Sequence, residues 1–463
     1  MLASLGVFMT ALDTLVVTTA LPVLRVDLGA SLSDLEWTVN AYNLSFACLL
    51  LTGAALGDRF GRRRMFSVGL LVFTAASAAA ALSPSVGALI AARSVQGAGA
   101  AIVMPLTLTL ISEAFPVEQR GAAIGLWGGI TGLAVAAGPV VGGAIVGGIS
   151  WHWIFWLNVP VGLALIPLAA SRLTESFGPR PRLDIPGLAL AGSGALALTW
   201  GLVRASSVGW QTAEVVGALV AGVLLIGAFL AFERRTPNPM IPLGLFRAPA
   251  FAATNAVSFL MYACLFGVLF LMAQFLQTAL GYSPLDAGLR LLPWTATPMV
   301  VAPLAGALAD RYGNRPFMVL GLALQAVGIG WVARIATPGV GYWELGVALT
   351  VAGIGISMVF PTVANAVMSS VPLSEAGVAS GTNSALRELG GVFGVAVLAS
   401  VFARQGVYAS STAFIDGFTH ALWVGAAFSS AGVIAALLVP GRRRVIRAEA
   451  SLALRPQLAT EPD

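Results

Sequence analysis

The sequence contains no lysine, two cysteines and two histidines, and all 25 of its basic residues are arginine. Without lysine the chain can form neither a Walker P-loop, which needs a lysine at the nucleotide phosphates, nor a lysine Schiff base. Cys48 and Cys264 lie in separate apolar runs, and His152 lies far from His420. A disulfide framework and a Cys/His metal site are therefore excluded, and we expect no cofactor and no metal.

Charge is also scarce, because only 10% of the 463 residues are charged whereas 58% are hydrophobic. The mean hydropathy is +0.89. At roughly 20 residues for each membrane-spanning helix, the chain predicts an all-α integral membrane protein with 14 transmembrane helices and no room for a folded soluble domain. The predicted spans, numbered in order, are 2–24, 37–57, 65–83, 86–111, 121–148, 153–171, 185–203, 213–232, 250–277, 285–309, 317–335, 343–369, 377–403 and 418–439.

The arginines are unevenly distributed between the two sides of these spans. With a cytoplasmic N-terminus, eighteen arginines fall in inside segments and four in outside segments. The positive-inside rule therefore predicts that both termini are cytoplasmic. The net charge of +5 is accounted for by loops that face anionic lipid, so we expect the lipid bilayer and no nucleic acid as a partner.

The two halves of the chain repeat each other. Leu56, Asp58, Arg59, Gly61 and Arg63 recur 252 residues later, and a set of glycines and prolines that begins at Gly97 recurs at an offset of 256. Both copies begin in the cytoplasm, so the repeat is parallel, as in transporters built from two helical bundles. The predicted units are an N-terminal six-helix bundle at 1–171, two additional central helices with their linkers at 172–249, a C-terminal six-helix bundle at 250–440 and a basic cytoplasmic tail at 441–463.

Five local motifs carry a resemblance to a known family. In order along the chain they are LDTLVVTTALP at 12–22, GDRFGRRR at 57–64, RSVQGAGAA at 93–101, GPVVGG at 138–143 and WHWIFWLNVPVG at 151–162. Together they resemble the fourteen-span drug:proton antiporters of the major facilitator superfamily along essentially the whole chain. The resemblance implies the major facilitator fold, multidrug efflux with antibiotic resistance, and a place in the plasma membrane.

Asp13 is the deepest acidic residue of the half that carries these motifs. It lies about eleven residues into its helix, roughly 17 Å deep at 1.5 Å per residue, where a bare carboxylate costs several kcal/mol. It could carry protons or be a protonated or hydrogen-bonded structural aspartate. Arg93 could snorkel to water, or face the bundle interior beside Asp13 together with Gln96. In the similar antiporters the matching arginine is assigned to proton transfer.

A second charged pair lies near mid-membrane in span 13. Arg387 and Glu388 are neighbours, and adjacent helical residues point about 100° apart, so we expect that they do not pair face to face. They predict either a second proton-coupling or substrate-facing site or an internal structural ion network.

The loop between spans 2 and 3 is predicted to act as a conformational latch as well as a topology anchor. By family analogy, Asp58 docks near the start of span 13, at Ser374 to Gly377, where the positive helix terminus attracts a carboxylate. The second copy has Asn314 in place of Arg62, which weakens the same expectation there. The latch residues are Gly57, Asp58, Arg59, Gly61 and Arg62.

Span 5 is crowded with small residues, which allow close helix packing, and with a proline that kinks the helix. They predict either packing alone or a hinge or seal between the two bundles. The residues of this antiporter-type packing motif are Gly132, Gly138, Pro139, Gly142 and Gly143.

One stripe of span 9 mixes aromatic rings with amides at helical spacing, which lipid would not favour. It predicts one wall of a substrate pocket, although such faces also contact lipid or core. The pocket candidates are Asn255, Phe259, Tyr262, Phe266, Phe270 and Gln277, with Met358, Phe360 and Asn365 of span 12 as weaker members.

These features predict a proton-coupled exporter of amphipathic, drug-like compounds that works by alternating access. Its partners are protons and a lipophilic small molecule that could be cationic. The alternative is a facilitator or proton symporter that imports a small polar nutrient, which should carry more polar side chains in its spans. An enzyme acting on lipid would need clustered histidines or acids near an interface, which this chain does not have.

The predicted topology can be tested by thiol labelling. A cysteine introduced at Ser411 should react with a membrane-impermeant thiol reagent added outside, whereas one at Ser176 should react only after permeabilisation, because the arginine distribution places residue 176 inside. Labelling at position 176 in intact cells would contradict the span assignment.

Overall fold

The computed structural model describes residues 2–115, 117–178, 184–237, 239–371 and 375–441. In these ranges every regular element is a helix, and the predicted tail after residue 441 lies outside them. The α-helices are α1 Leu2–Asp27, α2 Leu32–Phe60, α3 Arg62–Ala81, α4 Val86–Ala114, α5 Val117–Gly148, α6 His152–Trp156, α7 Asn158–Arg172, α8 Ile185–Val208, α9 Ala213–Glu233, α10 Pro249–Gln274, α11 Pro284–Thr295, α12 Thr297–Tyr312, α13 Asn314–Ile335, α14 Tyr342–Ser369, α15 Ala376–Gln405 and α16 Ser411–Leu438.

Fourteen segments of this described chain are long and apolar enough to cross a membrane, which confirms the predicted number. Two of them are broken: α6 and α7 form one span, and α11 and α12 form another. In the second break, Pro298 cannot donate a backbone hydrogen bond to the carbonyl of Trp294. The hydroxyl of Thr297 donates to that carbonyl instead, at 2.8 Å.

α2 begins earlier than its apolar run predicts, at Leu32 instead of residue 37. The side chain of Ser31 accepts a hydrogen bond from the backbone N–H of Asp34 at 3.2 Å, and the Asp34 carboxylate accepts one from the N–H of Ser31 at 2.9 Å. This reciprocal capping box starts the helix. The acidic residues that hydropathy assigns to a loop, including Glu36, are therefore helical.

Glycines at matching repeat positions make matching contacts. A Cβ atom on Gly99 of α4 would lie 2.6 Å from the backbone nitrogen of Phe73 on α3, and one on Gly355 of α14 would lie 2.5 Å from the backbone nitrogen of Gln325 on α13. Both glycines thus let two helix backbones approach closely. The same local packing is used in both copies of the repeat.

The two central helices, α8 and α9, pack against each other, and α8 also packs against α2 and α15. A Cβ atom on Gly222 of α9 would lie 2.7 Å from Cγ of Leu198 on α8. The rings of Trp37 on α2 and Trp200 on α8 are 5.9 Å apart between centroids. The additional helices therefore lie beside both copies of the repeat.

The small residues of α5 face two different helices. Cβ atoms on Gly138 and Gly142 would lie 2.6 Å from Cβ of Leu15 and 3.0 Å from Cα of Val16, both on α1. The next glycine, Gly143, faces α11, where a Cβ atom would lie 2.8 Å from Cα of Leu285.

Two further positions complete this contact surface of α5. A Cβ atom on Gly288 of α11 would lie 2.7 Å from the carbonyl carbon of Pro139, so close backbone approach is needed here as well. Gly132 differs, since none of the described atoms lies within 4 Å of its Cβ position. The expectation of close packing at Gly132 is wrong, because this part of α5 lies before the stretch that contacts α1 and α11.

The requirement for a glycine at position 97 can be tested by thermal unfolding in detergent. A methyl group at Gly97 would lie 3.0 Å from Cα of Tyr42 and overlap its carbonyl oxygen. Gly97→Ala should therefore lower the free energy of unfolding by about 1–3 kcal/mol. The control Gly87→Ala lies in the same helix, where no described atom is within 4 Å, and should not lower the free energy of unfolding, because alanine favours a helix more than glycine does. Equal thermal unfolding midpoints for Gly97→Ala and Gly87→Ala would contradict a close contact between α2 and α4 at Gly97.

Candidate functional site

The Asp13 carboxylate lies inside the helix bundle and has three hydrogen-bond donors. Its side chain is buried, with 2% of the residue exposed. Oδ2 forms an ion pair with Nη1 of Arg93. Oδ1 accepts hydrogen bonds from Nε2 of Gln96 at 2.9 Å and from Nδ2 of Asn158 at 2.8 Å. The structure thus brings Asp13, Arg93 and Gln96 together, and it adds Asn158 from α7.

Ser77 of α3 fixes the two amides that hold this carboxylate. Its hydroxyl oxygen accepts from Nε2 of Gln96 at 3.1 Å and from Nδ2 of Asn158 at 3.0 Å. The same hydroxyl donates to the backbone carbonyl of Phe155 at 3.0 Å. Four helices, α1, α3, α4 and α7, therefore contribute side chains to one buried polar network.

Arg93 is 1% exposed, so the alternative in which it snorkels to water is wrong. Besides Asp13, its guanidinium donates to Oε1 of Gln96 at 2.7 Å and to the carbonyl of Thr38 at 3.3 Å. It also lies over the ring of Tyr42, with 4.2 Å between Cζ and the ring centroid. These acceptors and the ring stabilise a cation that would be costly to bury alone.

Asn158 and Ser77 were not among the predicted site residues. Asn158 does lie within the motif WHWIFWLNVPVG, where an amide in an otherwise apolar span is a signal that it faces other protein groups. Ser77 carries no such signal, because a serine in a membrane helix often bonds only to its own backbone. Only the packing of α3 against α4 and α7 reveals its role.

Arg387 and Glu388 contact each other, contrary to the expectation from their adjacent positions. Nη2 of Arg387 is 3.6 Å from Oε1 of Glu388. The two Cα–Cβ bonds point about 100° apart. The long side chain of Arg387 bends along the helix, so that its guanidinium still reaches Glu388. At 3.6 Å the contact is an ion pair without a short hydrogen bond, so this carboxylate is held more loosely than that of Asp13.

The aromatic stripe of α10 meets this second pair at Tyr262. The guanidinium Cζ of Arg387 lies 4.8 Å from the centroid of the Tyr262 ring. The rings of Phe266 and Phe360 are 5.3 Å and 5.8 Å from it. Tyr262 therefore links the aromatic side chains Phe266 of α10 and Phe360 of α14 to Arg387 of the charged pair on α15.

Other members of the stripe have different surroundings. Asn255 accepts from Nδ2 of Asn383 at 3.0 Å, which joins α10 to α15, and the same nitrogen donates to Ser258 at 2.7 Å. Phe259 lies 5.6 Å from Phe393 between ring centroids.

The two remaining residues of this α10 stripe, Phe270 and Gln277, also differ in their surroundings. Phe270 is fully buried. Gln277 lies in a π-helical turn at Phe275–Ala279 and donates to the carbonyl of Thr19 on α1 at 2.9 Å. The stripe is therefore divided among several contacts and does not form one continuous wall.

Of the weaker pocket candidates of α14, Phe360 contacts Tyr262, whereas Met358 and Asn365 have other neighbours. A Cβ atom on Gly321 of α13 would lie 3.1 Å from Cβ of Met358, so the side chain of Met358 starts towards α13. Asn365 is exposed and donates to Oδ1 of Asn314 at 3.2 Å. These positions follow from the helical period, since seven residues separate Met358 from Asn365 along one helix.

The loop between α2 and α3 docks on the segment that follows α7. Oδ1 of Asp58 accepts from Nε of Arg62 at 2.8 Å, and the carbonyl of Asp58 accepts from the N–H of Gly178 at 3.2 Å. The carboxylate of Glu175 accepts from the N–H groups of Arg63 at 2.9 Å and Arg64 at 3.2 Å.

The positive φ of Gly61, +105°, permits this turn. Gly57 packs against Leu106, and the guanidinium of Arg59 lies 5.5 Å from the ring of Phe60. Ser374, the expected docking position, lies outside the described residues, as does the side chain of Asp310 in the second copy.

The buried ion pair can be tested by a double-variant cycle in thermal unfolding. Arg93→Gln should lower the free energy of unfolding by about 3 kcal/mol or more, because it leaves a buried carboxylate without its cation. Adding Asp13→Asn should restore most of the loss. Arg334→Gln, at an exposed arginine, is the control and should have little effect. A double variant as unstable as Arg93→Gln alone would contradict the pairing.

Comparisons with known proteins identify the family. Residues 3–395 match the Major Facilitator Superfamily. The chain is 36% identical over 405 residues to a tetracenomycin C resistance and export protein of Streptomyces glaucescens, over 87% of this chain and 75% of that protein. It is 33% identical over 437 residues to a methylenomycin A resistance protein of Bacillus subtilis, over 94% of this chain and 92% of that protein.

A solved structure shows the same fold. The peptide transporter POT in complex with sulfate superposes with a TM-score of 0.67 at 16% sequence identity, over 98% of this chain and 94% of that chain. At this identity the likeness concerns the fold alone. Together with the fourteen apolar helices, these matches show that the chain is a multi-pass membrane transporter that belongs to the Major Facilitator Superfamily.

Proposed function

We propose that this protein is a proton-coupled exporter of amphipathic, drug-like compounds. The observation that carries the proposal is the buried network in which Asp13 pairs with Arg93 and accepts from two amides. Of the described residues in this network, the Asp13 carboxylate is the group able to exchange a proton, since arginine stays protonated and the amides do not ionise. Relatives named for antibiotic resistance and export support the direction of transport.

Protonation of Asp13 would change the network in one defined way. A proton on the carboxylate removes its negative charge, so the ion pair with Arg93 opens. Arg93 keeps Gln96, the carbonyl of Thr38 and the ring of Tyr42 as partners. The neutral state is therefore accessible without an isolated buried cation, and the proton can drive a change of conformation. One proton moving across about 100 mV supplies roughly 2.3 kcal/mol.

The substrate site in this proposal is the aromatic cluster around Tyr262. Tyr262, Phe266 and Phe360 offer rings to a lipophilic body, and Glu388 offers a carboxylate to a cationic group. Glu388 is 7% exposed and only loosely paired with Arg387. An arriving cation would compete with Arg387 for it at modest cost.

Alternating access would come from rocking of the two bundles, 1–171 and 250–440, with 172–249 alongside. Two contacts between the halves join the outer ends of the helices in the predicted topology: Gly288 meets Pro139, and Gln277 donates to Thr19. Nearer the cytoplasmic ends, a Cβ atom on Gly381 of α15 would lie 2.5 Å from Cδ2 of Leu51 on α2. The structure is therefore interpreted as the conformation closed to the outside. The docked loop around Asp58 is the candidate cytoplasmic latch, the membrane is the plasma membrane, and both termini are cytoplasmic.

Transport by purified protein in proteoliposomes tests this proposal, with tetracenomycin C and the lipophilic cation ethidium as probes. An imposed pH gradient should drive accumulation of at least one probe by the natural protein, and addition of that probe should move protons. Asp13→Asn should insert normally but lose both effects, because an amide keeps the size and hydrogen bonding of the carboxylate without its charge change. Asp13→Glu should retain partial activity with a shifted pH optimum.

Two results would contradict the proposal. Full proton-driven transport by Asp13→Asn would show that coupling lies elsewhere, and Glu388 would be the next residue to test. The protein can also be expressed in an efflux-deficient host and tested against a panel of drugs. If it confers resistance to none of them, drug export would be contradicted altogether.

A further inference from the structure

Three polar side chains lie along one face of α2 that none of the contacts above uses. Glu36, Asn40 and Asn43 are spaced four and three residues apart, so they form one stripe on the helix. Glu36 and Asn40 are fully buried, and Asn43 is 1% exposed. A buried stripe of this kind is unusual in a membrane helix and calls for a physical cause.

Three of the four polar side-chain atoms of the two amides lack hydrogen bonds within the described protein. Both side-chain atoms of Asn40, Oδ1 and Nδ2, and Nδ2 of Asn43 have no partner among the described residues. Buried amides without partners are destabilising, whereas Gln96 and Asn158 of the Asp13 network each make two side-chain hydrogen bonds or more. The stripe is therefore suited to bind water, which fills polar internal sites with several hydrogen-bond partners.

The neighbours of α2 show that the stripe faces the seam between the two halves of the chain. The backbone of Tyr42 meets Gly97 of α4, and Leu44 packs in one cluster with Val392 of α15. At 100° per residue, the sector between Tyr42 and Leu44 contains Asn43, Asn40 and Glu36. One side of the stripe thus borders the first half and the other side borders the second.

The outer end of the stripe lies under a contact between the halves. The guanidinium Cζ of Arg25 lies 3.6 Å from the centroid of the Tyr408 ring, and the Tyr408 hydroxyl donates to Oε1 of Gln274. Burial raises the pKa of the Tyr408 phenol above its usual value, so this donor remains neutral. Glu36 lies within electrostatic range of Tyr408. The Glu36 carboxylate therefore lies near this contact between the halves.

The inner end of the stripe reaches the level of the Asp13 network. The carbonyl of Thr38, between Glu36 and Asn40 in the chain, accepts from Nε of Arg93, and the ring of Tyr42 lies below the same guanidinium. The charged and titratable groups on the helices around the stripe include Asp13, Arg25 and Asp27 on α1, Arg93 on α4, and Arg387, Glu388 and Arg404 on α15. Asp34 and Tyr42 belong to α2 itself, and Tyr408 follows α15. Arg204 on α8 is paired with Glu214 at 2.8 Å.

We propose that Glu36, Asn40 and Asn43 form a hydrated path that carries protons from the outer end of α2 to Asp13. When the Arg25–Tyr408 contact opens, Glu36 takes a proton from outside water. It passes the proton to water held by the two amides, and the Asp13 carboxylate accepts it as its ion pair with Arg93 opens. This inference rests on the proposed proton coupling and adds the route and its first acceptor.

Hydration of the stripe can be measured without any substrate. In a background with Cys48→Ala and Cys264→Ala, the variant Asn40→Cys should react with a small water-soluble methanethiosulfonate in proteoliposomes. The matched control is Ala41→Cys, one residue further along and also buried, which points away from the stripe and should not react. Equal reactivity of the two variants, or no reaction at position 40, would overturn the path.

The route itself is tested by comparing two modes of tetracenomycin C transport. Asn40→Leu and Glu36→Gln should each slow transport driven by a pH gradient by about tenfold, equivalent to about 1.4 kcal/mol on the barrier. Both should leave exchange of labelled for unlabelled tetracenomycin C near the natural rate, because exchange needs no net proton movement. Val39→Leu, at a buried apolar neighbour on the same helix, is the control for packing.

The outcomes separate this inference from the proposed function. No proton movement by the natural protein would overturn the proposed function. If the natural protein couples proton movement to transport, and Asn40→Leu and Glu36→Gln both transport at the natural proton-driven rate, only the path is overturned. If Asn40→Leu slows exchange as much as proton-driven transport, the stripe contacts the substrate and the proton route is wrong.

Discussion

The cost of burying charge inside a membrane protein governs the arrangement of the first half of this chain. Asp13 and Arg93 are both almost completely buried, and neither could be there alone without a large loss of stability. Their pairing requires α1 and α4 to meet at one height and register. The amides of Gln96 and Asn158, positioned by Ser77, then satisfy the remaining carboxylate oxygen, which fixes α3 and α7 as well.

Three degrees of hydrogen-bond satisfaction distinguish the buried polar groups of the central region. Asp13 has a cation and two amide donors. Among the described residues, Glu388 has one ion pair, a 3.6 Å contact with the residue beside it. Asn40 has no partner among the described residues. Satisfied buried groups hold helices in register, whereas incompletely satisfied ones remain able to bind water or substrate. This order agrees with the roles proposed for the aromatic cluster and for the polar stripe of α2, whereas protonation of Asp13 requires its ion pair with Arg93 to open.

Close backbone approach is the second constraint, and it acts at the same places in both repeats. Gly99 and Gly355 each allow one helix to contact the backbone of the preceding helix in its half. Gly143 and Gly288 do the same across the two halves. Because such contacts depend on small residues instead of long interlocking side chains, the inter-half surfaces can separate and re-form with little rearrangement. This is the property that alternating access requires.

The sequence alone determined the features that depend on position along one helix. Apolar length gave fourteen spans, the repeated Asp58 and Asp310 motifs gave the two-copy organisation, and depth in the helix singled out Asp13. Span lengths and depths can be read in this way because helical rise and period are the same in every protein. For Arg93 the sequence left open whether it faces Asp13 or snorkels to water.

Only the tertiary structure decided which side chains meet across helices. It joined Asn158 and Ser77 to Asp13, docked the Asp58 loop on the segment around Gly178, and left Gly132 without a close neighbour. It also showed Arg387 bending back to Glu388. A sequence fixes the direction of each side chain relative to its own helix axis, but the rotation and register of one helix against another follow from packing of the whole bundle.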